Sequence, residues 1–124
     1  MAKSEMFDVE VEKQALIVVP RHPAQDWWEN EESVRPETRW LLDRLGDPAG
    51  RNVVVDLAHI PQLRSNSNLL VALIAMWKHC TANGKTMAVC NVSDKGREVL
   101  NTARFDTLWS VCTSRNEALD KVLA

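Results

Sequence analysis

Nine consecutive apolar residues, Leu69-Leu70-Val71-Ala72-Leu73-Ile74-Ala75-Met76-Trp77, follow directly on the largely polar stretch Gln62-Leu63-Arg64-Ser65-Asn66-Ser67-Asn68. A helix that is apolar on all sides has to be covered on all sides, so this run demands a surrounding fold. It is about half of the ~20 residues a membrane-spanning helix needs and therefore reads as a core helix. Ahead of the polar stretch stands Val53-Val54-Val55-Asp56-Leu57, valine-rich and too short for a helix, the pattern of a strand buried on both faces. A buried strand passing through a polar turn into a buried helix is half of a βαβ unit.

The rest of the chain repeats that alternation. Phe7, Val9 and Val11 alternate with Asp8, Glu10 and Glu12, which predicts a strand with one wet face. Residues 14–19 predict a second, more deeply buried strand, with Lys13 at the hairpin between them and Pro20 ending it. Residues 21–32 lose periodicity and read as a loop carrying Pro23, Trp27, Trp28 and the acids Glu29, Glu31 and Glu32. For the tryptophan pair, one ring over a sheet edge and the other half exposed is the favoured reading over a partner-binding anchor. Ser33 or Glu32 opens a helix through Trp40, Leu41, Leu42 and Leu45, with Pro36 in its first turn and Gly46 as its stop. Residues 52–57 form the next strand, residues 69–80 the core helix, Asn83-Gly84 its left-handed end, and residues 86–90 another buried strand.

Ser93 caps a short helix carrying Val99 and Leu100. Residues 105–112 turn into a last strand, and Ser114 with Glu117 is a capping-box signature for a terminal helix packing through Ala118, Leu119, Val122 and Leu123. The order is β-β-α-β-α-β-α-β-α. It predicts an α/β fold with a mixed, mostly parallel sheet of about five strands and about four helices.

At 124 residues the chain fits one domain, residues 1–124. A net charge of −2 offers no basic footprint for nucleic acid. The amino terminus has no apolar secretory segment, which points to the cytoplasm without membrane insertion. Cys80, Cys90 and Cys112, odd in number and widely spaced, suit reduced, buried, inert thiols.

Chemistry is hard to find. Ser65 and Ser67 lack the flanking glycines of a hydrolase elbow, and the four glycines are scattered singly, so no phosphate cradle is present. His79 and Cys80 point about 100° apart on a helix and do not share a metal ion easily. His22 and His59 have no neighbour suggesting acid–base work. No catalytic residue, metal or cofactor is expected. Asp56, at the carboxyl end of a predicted parallel strand, is poised between a functional group and a simple turn former. Ser67 stands where a helix N-cap is expected, and a phosphate there would meet free N–H donors and the positive end of the helix.

Several segments together resemble a STAS domain, the fold of bacterial anti-sigma factor antagonists. They are Val53-Val54-Val55-Asp56-Leu57, the serine-bearing polar turn, the apolar helix, Asn83-Gly84-Lys85, Val89-Cys90-Asn91-Val92-Ser93, Arg97-Glu98-Val99-Leu100, Arg104-Phe105-Asp106-Thr107-Leu108-Trp109 and residues 114–119. The resemblance covers residues 52–124, and the amino-terminal elements agree with it in order. It implies a non-catalytic regulator of transcription that binds a GHKL-type anti-sigma kinase. That kinase would inactivate it by phosphorylating a serine at the start of the second helix, and a PPM-type phosphatase would reverse the reaction.

Hydrophobic register behind the turn places Ser67 on that phosphoserine, with Ser65 as second choice. Arg64, Asn66, Ser67, Asn68 and Asp56 then form the partner-binding set. Where the family has Asp-Ser-(Ser/Ala)-Gly, this chain has Asn66-Ser67-Asn68-Leu69, without the acid and the glycine. Two alternatives follow from the same resemblance: an unphosphorylated interaction scaffold, through Trp27 and Trp28, or an accessory subunit of a transporter or lipid-handling system. A homodimer is compatible with each.

Overall fold

The computed structural model describes residues 2–21, 27–45, 51–60, 63 and 68–123. Among these it has strands β1 (Ala2–Lys3), β2 (Phe7–Glu12), β3 (Ala15–Pro20), β4 (Val53–Asp56), β5 (Met87–Cys90) and β6 (Ser110–Cys112). Its helices are α1 (Glu31–Leu45), α2 (Asn68–Ala82), α3 (Asp94–Thr102) and α4 (Arg115–Leu123). The five expected strands are present, and β1 adds a two-residue edge strand outside β2.

The sheet runs in the order β1-β2-β3-β4-β5-β6, antiparallel up to β3 and parallel from β3 to β6. Right-handed crossovers that always step the same way across a sheet lay their helices on one face. Accordingly α1, α2 and α3 share a core with Phe7, Val9, Leu16, Val18, Val53, Val55 and Val89. Helix α4 follows the last strand and crosses nothing, so it is free to cover the other face, where Ala118, Leu119 and Val122 pack on Ile17, Val54, Ala88 and Cys90. Strands covered on both faces have no wet side, which is why β3, β4 and β5 are buried along their whole length.

Local chemistry sets the ends of the elements. At the end of α2 the Lys85 N–H reaches the Cys80 carbonyl (2.7 Å) and the Gly84 N–H the Thr81 carbonyl (3.2 Å), a Schellman motif with Gly84 at φ +68°. Ser93 caps α3 by accepting from the Gly96 N–H at 3.1 Å. Ser114 caps α4 by accepting from the Glu117 N–H at 3.2 Å. The Glu117 carboxylate closes that box one residue further out than expected, on the N–H and hydroxyl of Thr113 (3.3 and 2.6 Å).

Some boundaries differ from the sequence reading. Helix α1 starts at Glu31 because Asn30, not Ser33 or Glu32, is its cap, accepting from the N–H groups of Glu32 (3.0 Å) and Ser33 (3.4 Å). Pro36 consequently falls in the second turn, on the exposed side, where water can take up the carbonyl that proline leaves unbonded. The expected loop over residues 21–32 contains a 3₁₀ turn, Trp27–Glu29, whose Trp28 is buried. A second one, Phe105–Thr107, precedes β6.

The hairpin also differs. Register pairs Glu12 with Ala15, so both Lys13 and Gln14 are in the turn, at φ 51° and 69°. Left-handed residues at both loop positions match the twist of the flanking strands, but side chains other than Asn, Asp and Gly adopt that conformation at a cost. Replacing Lys13 with Asn and Gln14 with Gly is expected to raise unfolding stability by ~1 kcal/mol. An unchanged or lower urea midpoint would contradict the strain assigned to the turn.

Candidate functional site

Asp56 is the last residue of β4, and its side chain turns toward the α4 face with those of its register partners Cys90 on β5 and Cys112 on β6. At 4% exposure it is the buried charged residue of the described set. Burying a carboxylate is costly unless its lone pairs are occupied, and here both oxygens are. Oδ1 accepts from the Ala58 N–H and from Asn91 Nδ2, each at 3.0 Å. Oδ2 accepts from Arg115 Nε (3.1 Å) and Nη2 (2.9 Å). The remaining guanidinium nitrogen, Nη1, donates to Glu10 Oε1 at 3.1 Å and lies 3.5 Å from Glu12 Oε2. Burial by itself would push the Asp56 carboxyl up, but Asn91, the Ala58 N–H and Arg115 outweigh it and hold it below the ordinary carboxylate value. For Arg115 burial works against the charge, and Asp56, Glu10 and Glu12 more than offset it.

Three successive carboxyl ends of parallel strands thus converge: Asp56 ending β4, Asn91 after β5, and Arg115 after β6. Asn91 takes φ 57°, which lets its amide turn back to Asp56. Asp56 is the turn former that the sequence allowed, accepting from the Ala58 N–H, and it also anchors a charge network. Arg115 was not legible as its partner. One signal was available: an arginine in the first turn of a helix opposes the helix dipole, so its presence there asks for an anion nearby.

The segment leaving Asp56 is pinned from below. The Leu57 N–H donates to the Cys90 carbonyl (3.0 Å), and Leu57, Ile60 and Leu63 are buried. Gly96 in the first turn of α3 packs close by: a Cβ there would lie 2.6 Å from Val92 Cγ1 and 3.5 Å from Leu63 Cβ. Arg64, Ser65, Asn66 and Ser67 lie outside the described residues, so the expected phosphorylation site and most of the partner-binding set do too. Asn68 is described. It is the half-buried first residue of α2, one position earlier than the sequence suggested. Three residues on, Val71 is 62% exposed, while its neighbours Leu69, Leu70, Ala72 and Leu73 are buried.

Cys80, Cys90 and Cys112 are free and buried, as expected. Burial drives the Cys80 thiol up to about 11 and that of Cys90 up to about 12, and raises Cys112 as well, so all three are held protonated and unreactive. Among the described residues no group of His, Cys, Asp and Glu is placed to hold a metal ion, and no helix is long and apolar enough to cross a membrane. The strand order never reverses from β1 to β6, so the carboxyl edge lacks the switch-point crevice where doubly wound sheets bind ligands.

No protein-family model matches the sequence, and no curated protein matches it. Solved structures do match. An anti-sigma-factor antagonist (STAS) domain protein from Planctomyces limnophilus superposes with a TM-score of 0.75 at 21% identity, over 95% of this chain and 98% of that one. RsbS of Moorella thermoacetica gives 0.74 at 14% identity over 94% of each chain. The anti-sigma factor antagonist SpoIIAA in its unphosphorylated form gives 0.71 at 13% identity, over 94% of this chain and 96% of that one. The fold is that of a STAS domain.

Proposed function

We propose that this chain, whose fold is that of STAS domains, is a cytoplasmic, non-catalytic signalling regulator of the anti-sigma factor antagonist type. In this reading it binds an anti-sigma kinase of the GHKL class through residues 64–68 and the exposed side of α2, and is switched by phosphorylation of Ser67, with a PPM-type phosphatase as the reversing enzyme. The observation that carries it is Val71, an exposed aliphatic side chain in the first turn of α2, four residues after Ser67. An apolar contact beside a modifiable serine is what a phosphate-gated interface requires: the valine supplies burial to the complex, and the phosphate supplies repulsion and a desolvation cost. The solved structures of similar fold include two named as anti-sigma factor antagonists, one of them specified as unphosphorylated, which supports the reading further.

Incubation with a cognate kinase and ATP, followed by peptide mass spectrometry, is expected to place phosphate on Ser67. A Ser67→Asp variant is expected to bind the kinase at least ~10-fold more weakly, and Val71→Glu likewise. Phosphate on Ser65, or a Ser67→Asp variant that binds like the parent, would overturn the switch.

A further inference from the structure

The sheet ends at β6, and among the described residues the backbone groups of Ser110, Val111 and Cys112 find partners only on β5. Their outer side is an open edge. Such an edge is a template for another strand, and natural proteins guard it with a proline or a charged side chain. Ser110-Val111-Cys112 carries neither, and Ser110 and Val111 are half-buried. Beside the edge, between α3 and β6, is a hollow of about 250 Å³ lined by Leu100, Val111 and the polar side chains of Arg97, Glu98, Asn101 and Asp106. That is smaller than the usual small-ligand site, about 300–1,000 Å³. On the other face, the charges of Glu117 and Lys121, one turn apart on α4, act on Cys112 of β6. Arg97, Glu98, Asp106 and Lys121 form no ion pair among the described residues, where Arg21, Arg35 and Arg115 all do.

We propose that two copies of this chain associate through this edge, β6 against β6 antiparallel about a two-fold axis, so that one sheet runs through both. Three residues exchange only a few main-chain bonds, and a stable interface buries about 1,000 Å² or more, so a bare strand would not hold. The remaining area has to come from elements standing beside the partner's strand. A second copy brings its own α3 and α4 to that place. A two-fold interface must also be complementary to itself. Each flank of the edge meets this by carrying both signs, Arg97 with Glu98 and Asp106 on the α3 side, Lys121 with Glu117 on α4. Pairing centred on Val111 sets two valines side by side on the α3 face, their Cβ atoms about 5 Å apart, the spacing of directly opposed residues. The association is separate from the Ser67 switch, since it uses neither residues 64–68 nor Val71.

Sedimentation equilibrium of the full chain should show its mass rising from 14.0 kDa toward twice that value as the concentration approaches the millimolar range. Over the same range, amide hydrogen exchange at residues 110–112 should slow, while that of the other edge strand, β1, should not. Arg97→Glu and Glu98→Lys change side chains outside the core, so each should keep the parental melting temperature. Each variant alone should dimerise at least ~10-fold more weakly than the parent, because its flank then carries mostly one sign. Mixed in equal amounts, the two should associate with each other about as well as the parent does with itself. A chain that stays monomeric throughout would overturn the proposal and leave the edge to an unlike partner. So would a dimer that protects another surface, or one that both charge variants leave intact.

Discussion

Replacing Arg115 with Met is expected to lower unfolding stability at neutral pH by ~2–3 kcal/mol. The substitution keeps most of the aliphatic bulk and removes the charge. Asp56 is then left buried with two of its four hydrogen bonds gone, and an uncompensated buried carboxylate is far costlier than a missing surface pair. A partly solvated guanidinium puts the loss below that of a fully buried pair, since water can reach part of the vacated space.

The pH dependence tells a charge effect from lost packing. In the parent, Asp56 titrates below its ordinary value of 3.8, so its contribution is complete above that value and is lost as pH falls through the lower folded one. Without Arg115 the burial of Asp56 is no longer offset to the same degree, so the variant's deficit should be largest at neutral pH and shrink as Asp56 is protonated. Asp56→Asn combined with Arg115→Met should recover part of the loss, because no charge is stranded. Urea denaturation across the acid range decides the matter: a deficit independent of pH and unchanged in the double variant would reduce Arg115 to a packing residue.

Trp28→Ala is expected to cost ~3–5 kcal/mol, the range for emptying a buried aromatic site. The ring of Trp28 meets Phe7 edge-on, with centroids 5.5 Å apart and planes at 72°, and its Nε1–H donates to the Arg21 carbonyl at 2.8 Å. It thereby ties the approach to α1 onto the sheet at β2. Trp28→Phe keeps most of the ring and strands the Arg21 carbonyl, so ~1–2 kcal/mol should be lost, by the usual worth of one hydrogen bond. Thermal melts of the two variants should fall in that order. A change under ~1 kcal/mol for Trp28→Ala would return this tryptophan to the role of an exposed anchor.

That residue illustrates what a sequence hides. Trp27 and Trp28 are adjacent and chemically identical on paper, and only the 3₁₀ turn that carries it sets Trp28 in the core. The anchor that the scaffold alternative drew from the pair is therefore half withdrawn, because Trp28 is occupied with Phe7. Helix starts show the same limit. Ser93 and Ser114 were readable as caps because each stands next to one periodic run. Asn30 was not, since three competing polar residues, Glu31, Glu32 and Ser33, follow it and a proline seemed to forbid an early start.

The sequence by itself determined the alternation of buried strands and helices, the Gly84 stop and the position of Asp56 at a strand end. These rest on periodicity, turn chemistry and backbone stereochemistry, which act over a few neighbouring residues and need no knowledge of the fold. Only the tertiary structure decided what Asp56 is for. Its partners Asn91 and Arg115 are 35 and 59 positions away, and they meet it because β4, β5 and β6 are parallel neighbours whose carboxyl ends all open on one edge. No local pattern encodes a pairing across that distance, because it is the register of the sheet that creates it.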